Sequence, residues 1–289
     1  MKVEQAVKVL EKDLQRKGRS KYTIISYMTD LNQLAEYLES KGITNIEDVK
    51  YSDLEDYKKN MLENDEFSVK SVSRKVNSIR LLFKCLFSEG ILSENIAEDL
   101  SHPYFKNAPP KVLTPLEYRA IRDVSRSDPR LYSVVEVLLQ TGIRVGELVR
   151  LKKDDLYKEG DKWYFKIRGY QSQPERIVPV NEKAYNAIQT WMKVRPDVGT
   201  DYIYVTRNAK PIIVRNLRTS LLRIFKKAGV DKGTVNDFRN TFIAYYLAKG
   251  VSKETVAQLV GHKNLTTTDR YKDLLPNVEE DNGDKNIVL

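Results

Sequence analysis

Apolar residues recur at helical spacing through the first hundred positions. Val3, Ala6, Val7, Leu10 and Leu14 fall on one face of a helix that stops near Gly18. Ser20 precedes a second run, Ile24, Ile25, Tyr27, Leu31, Leu34, Tyr37 and Leu38, which ends at Gly42. Two more helices are predicted about residues 53–62 and 68–89, the latter striped by Val72, Val76, Ile79, Leu82, Phe83 and Phe87. Cys85 lies among these and reads as a small core side chain. No alternating stretch appears, so residues 1–102 are expected to form a compact helical domain.

The pattern then breaks. His102 to Lys111 carries three prolines and no period, which predicts an extended linker over 103–111. Thr114-Pro115-Leu116-Glu117 has the form of a capping box with proline at the first helical position, opening a second domain over 112–289. Helices are predicted over 115–125, 133–139, 184–194, 214–228, 238–249 and 253–260, with another opening near Val145. Residues 163–167 and 176–180 read as a hairpin with a longer turn, and 202–205 as a short strand. The expected fold is mainly α with a small β-sheet: a helical domain followed by a mixed α/β domain.

Charge sharpens this division. The 289 residues hold 49 Lys+Arg against 40 Asp+Glu, net +9. Residues 1–102 carry 16 basic and 18 acidic side chains, whereas 103–289 carry 33 and 22. A tail over 276–289 is acidic, so the basic surplus lies before it. Such a surplus fits a polyanion partner, nucleic acid above all, although a solvated surface would look the same. The apolar runs are short, far from the roughly 18 residues that span a bilayer, so no membrane partner is expected and the chain reads as cytoplasmic. Two histidines and one cysteine are too few for a four-ligand His/Cys zinc site, and no metal or cofactor is expected. Walker, HExxH and nucleophile-elbow patterns are absent, which disfavours P-loop, metal-hydrolase and α/β-hydrolase chemistry.

Three segments of the basic domain carry candidate chemistry. In Thr141-Gly142-Ile143-Arg144-Val145-Gly146-Glu147-Leu148 an arginine sits between glycines that would admit a backbone or a phosphate. In Asn236-Asp237-Phe238-Arg239-Asn240-Thr241-Phe242, Asn236 and Arg239 share a helix face. The third runs from Leu259 through Gly261-His262-Lys263 and a threonine run to Arg270-Tyr271. Each has an ordinary reading. Arg144 could pair with Glu147, Arg239 could be a surface charge, His262 a helix-end imidazole, and Tyr271 one of 17 tyrosines. Together they are what phosphodiester transfer through a tyrosyl intermediate needs. Guanidiniums hold non-bridging oxygens, an imidazole donates a hydrogen bond or moves a proton, and a phenol attacks.

Over nearly its whole length the sequence resembles the tyrosine recombinases, the phage integrase family, and in particular their compact Xer-like members. Residues 141–148 resemble the family's first arginine box, 236–242 its His-x-x-Arg box, and 259–271 its LGH…TT…Y box with nine residues from histidine to tyrosine. The resemblance implies Arg144 and Arg239 as phosphate-binding arginines, His262 as the second-box histidine and Tyr271 as nucleophile. Two departures stand out. Asn236 replaces the first histidine, and an amide cannot shuttle a proton. The family's hairpin turn carries a lysine that protonates the leaving 5′ oxygen, but Gln171 falls there and residues 170–175 hold no lysine. Lys166 and Arg168, just before the turn, are the nearest cations, with Lys166 the candidate acid. Arg168, Gln171, Arg176 and Lys263 are expected to contact DNA.

The resemblance implies a metal-independent, site-specific DNA recombinase whose two domains clamp duplex DNA. Inverted-repeat half-sites and a homo-tetramer acting on two DNA sites are implied with it. Its C-terminal segment docks in the family on a neighbouring protomer, so Ile287–Leu289 are expected to insert in trans. Type IB topoisomerase-like relaxation uses the same chemistry, and a non-catalytic DNA-binding protein built on 251–271 is the alternative without chemistry.

Overall fold

The structure, a computed structural model, describes residues 1–64, 67–106, 108–171, 173–197, 199–206, 208, 210–272 and 274. The acidic segment 276–289, and with it the expected insertion of Ile287–Leu289, lies outside the described residues. Contacts divide the chain into two compact units between residues 107 and 108, inside the proline-rich segment.

The first unit is helical: α1 (Val3–Arg16), α2 (Lys21–Ser40), α3 (Tyr51–Glu63) and α4 (Val69–Ser88), with a 3₁₀ turn at Ile46–Asp48. The predicted stripes form its core, from Leu10, Leu31, Leu34 and Leu38 to Val76, Ile79, Leu82 and Phe83. Ser20 and Ser68 each accept a backbone N–H at a helix start, from Thr23 and Ser71, which fixes where α2 and α4 begin. Cys85 is buried as expected. Phe87, placed in the stripe by periodicity, is 48% exposed, and its neighbour Leu86 is the side chain that this last turn of α4 buries.

The second unit runs α5 (Pro115–Ser125), α6 (Pro129–Thr141), α7 (Val145–Leu148), then β1 (Leu156–Glu159), β2 (Lys162–Ile167) and β3 (Arg176–Val180). It continues with α8 (Glu182–Val194), α9 (Val214–Lys227), α10 (Val235–Ala248), α11 (Lys253–Val260) and α12 (Leu265–Asp269). Thr114 and Glu117 form the anticipated capping box. The three strands make one antiparallel sheet in order β1-β2-β3, with Phe165 opposite Leu156 on one side and Val178 on the other. Phe165, Ile167, Val178 and Val180 point inward to a core shared with α6 and α8.

Three expectations are corrected. α6 starts four residues before the predicted 133, because Asp128 caps Pro129 at the first helical position, accepting from the N–H groups of Arg130 and Leu131. α10 likewise starts at Val235, so Asn236 stands inside the helix. Residues 202–205 form no ladder. Tyr202 and Val205 make single bridges, to Lys152 and Pro211, and the third strand is β1 instead.

Candidate active site

α6 ends at Gly142, whose backbone is left-handed with φ +61°. Only glycine adopts this freely, and here space also demands it: a Cβ would lie 2.4 Å from the Phe242 ring. The turn throws Arg144 out at the start of α7. The first turn of α10 brings Arg239 beside it, and α11 closes the site with a second left-handed glycine, Gly261, at φ +69°.

The end of α11 is a socket for arginines. Helix termini leave their last carbonyls without partners, and these carry the negative end of the helix dipole. The Val260 carbonyl accepts from Arg239 Nη2 at 2.6 Å and from Arg144 Nη1 at 3.2 Å. The Gly261 carbonyl accepts from Arg144 Nη2 at 3.1 Å, and the Leu259 carbonyl from Arg176 Nε at 2.7 Å. Arg239 also donates to the Gly142 carbonyl at 2.7 Å. Two of the sequence boxes thus deliver arginines, and the third holds them.

Glu147 completes the arrangement. It is buried, and Arg176 grips it with two bonds of 2.9 and 2.7 Å, while Arg144 Nη1 donates to it at 3.2 Å. Burial pushes its carboxyl up, but the hydrogen bonds and charge of Arg176 outweigh this and hold it below the usual range. Arg176 was expected to contact DNA. It is instead 9% exposed and committed to Glu147 and Leu259, because position 176 is an inward-facing register position of β3.

Arg239 is 9% exposed; burial first, then the like charge of Arg144, bring it down to about 9, still protonated at neutral pH. His262 follows Gly261, and its Nδ1 shares a 2.8 Å hydrogen bond with the Thr268 hydroxyl. Burial, reinforced by Arg239, Arg144 and Arg176, lowers it to about 4, so the imidazole is neutral at pH 7. The Tyr271 ring lies 6.3 Å from the His262 ring, centroid to centroid, and its phenol donates to Asn240 Oδ1 at 2.9 Å. Burial pushes that phenol up, and Arg239, Arg270 and Arg144 draw it part of the way back. Asn240 is itself held, donating to the Lys111 carbonyl at 3.0 Å.

Tyr271, Arg144, Arg239, Asn236, Asn240, Arg150, Tyr170, Gln173 and Arg218 share one cleft of about 450 Å³. Asn236 is exposed along its α10 wall. Lys166 and Arg168 do not line it. Lys166 pairs with Glu175 at 3.3 Å and Arg168 with Asp155 at 2.6 Å, and both face a neighbouring recess. The candidate acid Lys166 is therefore displaced from the cleft by its own side of β2. Gln171, exposed at φ +52°, occupies the tip of a turn closed by paired 3.0 Å bonds between Tyr170 and Gln173, and it does not line the cleft either. Lys263 is exposed beside His262. Sequence reading passed over Asn240, Thr268, Glu147 as an anchor, Arg150 and Arg218. Asn240 alone had a signal, following Arg239 directly and sharing a helix face with Asn236.

The sequence pattern of the phage integrase family matches residues 111–277, and that of the phage integrase N-terminal SAM-like domain matches 8–90. The tyrosine recombinase XerC of Staphylococcus carnosus (strain TM300) is 30% identical over 260 residues, 87% of this chain and 86% of that protein. A lambda integrase dimer bound to a COC′ core site has a similar fold, with TM-score 0.79 at 20% identity over 94% of this chain and 77% of the other. A lambda integrase tetramer bound to a Holliday junction aligns with TM-score 0.76 at 20% identity, over 94% and 78% respectively.

Proposed function

The chain belongs to the phage integrase family, and from that membership we propose that it is a site-specific DNA recombinase that cuts and rejoins strands through Tyr271. The observation that carries this reading is the convergence of a phenol and two carbonyl-socketed guanidiniums in one cleft. Arg144 and Arg239 hold the non-bridging oxygens of a scissile phosphate. Their planar forks match those oxygens, and their positions are set before substrate arrives, so little reorganisation accompanies charge build-up. The neutral His262 donates to or accepts from the same phosphate, its ring fixed by Thr268. Asn236 offers an amide hydrogen bond from α10.

Tyr271 Oη attacks phosphorus, giving a 3′-phosphotyrosyl link and a free 5′ hydroxyl. The 5′ hydroxyl of a partner strand reverses the step and conserves the bond energy. Double-stranded DNA with inverted-repeat half-sites is the proposed partner, and four protomers on two sites the proposed assembly. The DNA-bound lambda integrase dimer and tetramer support both by likeness of fold. A type IB topoisomerase would yield relaxed circles instead of recombinant junctions, and a mere binder no adduct at all. No helix among the described residues is long and apolar enough to cross a membrane.

The test is a nicked suicide substrate. Wild-type protein should trap a covalent adduct, and Tyr271→Phe should bind the half-site with no adduct, since only the phenolic oxygen is lost. Adduct at wild-type level in that variant would remove Tyr271 from the reaction.

A further inference from the structure

The cleft holds two more guanidiniums that the steps above leave unused, those of Arg150 and Arg218. They differ in how they are held. Arg218 is exposed on α9 and rests on nothing among the described residues. Arg150 is half-buried, and its guanidinium stacks 4.0 Å above the ring of Tyr170, the residue that closes the β2–β3 turn. Among the described residues the Arg150 guanidinium makes no ion pair and no hydrogen bond, so its five donors remain available. Gln173, across the same turn, lines the same cleft, and its buried Oε1 has no hydrogen-bond partner. An unpaired donor fork therefore lies in one wall, backed by Tyr170 and Gln173. That wall is built from the residues after α7 and from the turn, whereas Tyr271 is tied to α10 through Asn240.

In-line displacement at phosphorus needs two walls of this kind. The attacking oxygen enters on one side and the leaving oxygen departs on the other. Tyr271 and His262 occupy the first. The leaving alkoxide needs positive charge opposite, and Lys166, the lysine just before the turn in sequence, is turned toward Glu175.

We propose that Arg150 is a catalytic residue of this reaction, hydrogen-bonded to the leaving 5′ oxygen, a role that rests on the recombinase reading above. The Tyr271 Oη–P bond forms as the P–O5′ bond breaks, and the phenolic proton passes to water. The departing electron pair stays on O5′, stabilised by the guanidinium, which keeps its own protons. O5′ then takes a proton from water. Stacking on Tyr170 holds the fork in place beforehand, which is what makes such a donor effective.

Single-turnover cleavage of two nicked suicide substrates tests this, one with the natural 5′-bridging oxygen and one with sulfur there, a leaving group that needs no such help. On oxygen, Arg150→Gln should be slower by about 10²–10³-fold, the scale of one lost preorganised donor. On sulfur it should return to within about tenfold of wild type, with half-site affinity retained. Tyr170→Ala, which leaves the guanidinium present but loose, should show a smaller loss with the same rescue, and it keeps the test open if Arg150→Gln folds poorly. Arg218→Ala removes an equal charge and should keep the wild-type ratio between the substrates. Equal slowing of Arg150→Gln on both substrates, an undiminished rate on oxygen, or sulfur rescue in Arg218→Ala would each overturn the assignment. Wild-type protein that formed no adduct on either substrate would instead overturn the recombinase reading beneath it.

Discussion

At the residue scale, the site works by placing charged groups where their usual partners are missing. His262 is neutral because burial and three arginines oppose a fourth positive charge, which lowers its pKa to about 4. An unfolded chain would protonate it near 6.5. As pH falls from 6.5 toward 4 the unfolded state takes up a proton that the native state refuses, so the stability tied to His262 is present above 6.5 and lost across that window. A phosphate in the cleft reverses the balance, since its negative charge favours the imidazolium. With only two histidines in the chain, proton NMR can follow His262 directly. Its midpoint should lie well below 6.5 in the free protein and rise when a half-site binds; a midpoint near 6.5 in the free protein would contradict the buried-cation geometry. Asn240 makes a separate prediction. Its amide nitrogen faces the Lys111 carbonyl, so its oxygen must face Tyr271 and the phenol must donate. Asn240→Ala should leave half-site binding intact and slow adduct formation by about tenfold, the worth of one neutral hydrogen bond. The four residues Arg144, Arg239, His262 and Tyr271 were readable from their boxes, because reactive groups at fixed spacing survive as a linear signal. The pairings of Arg176 with Glu147 and of Asn240 with Tyr271 were not, because they join positions 29 and 31 residues apart.

At the element scale, helix ends do the positioning. α6 supplies the Gly142 carbonyl and α11 the carbonyls of Leu259, Val260 and Gly261, so Arg239 is anchored by backbone carbonyls, while Arg144 and Arg176 lean on such carbonyls and on Glu147 together. This makes Gly142 the position where fold and chemistry meet. Gly142→Ala meets a left-handed penalty of about 1–2 kcal/mol and a clash with Phe242, an overpacking cost of about 1–3 kcal/mol more. It should lower the unfolding free energy by roughly 2–5 kcal/mol and, by shifting the carbonyl that holds Arg239, reduce cleavage more than binding. Gly250→Ala is the control: its φ of +77° carries the same strain, but nothing lies within 4 Å, so urea unfolding should show a loss of only about 1–2 kcal/mol. A loss at Gly142 no larger than at Gly250 would refute the clash. The helices were legible from periodicity, since most of them bury one clean stripe. α6 was mis-bounded because nine successive residues, Ser133 to Thr141, are all buried and leave no period to read. β1 was missed because four residues with a half-exposed, half-buried pattern carry no alternation of their own and are strand only through pairing with β2.

At the scale of the whole molecule, position decides what each cation does. The basic surplus of residues 103–289 contains side chains of two kinds. Some, such as Arg176, are buried and spent on the fold. Others, such as Arg218 in the cleft and Lys263 beside His262, are exposed and free to meet phosphates. Only the second kind releases counterions when duplex DNA binds, and each phosphate neutralised contributes a slope of about −0.9 to the logarithm of affinity against the logarithm of salt. Half-site binding should therefore weaken steeply with salt, and Arg218→Ala should flatten the slope by about one unit. Arg176→Ala removes the same formal charge yet should leave the slope of the folded protein unchanged. Its cost falls on stability instead, because it leaves the buried Glu147 carboxylate with Arg144 alone, and breaking a buried pair costs about 3–5 kcal/mol. Titrations from low to moderate salt, paired with urea unfolding of each variant, separate the two. An equal change of slope in both variants would mean that Arg176 reaches DNA after all, and that the inward face of β3 opens on binding.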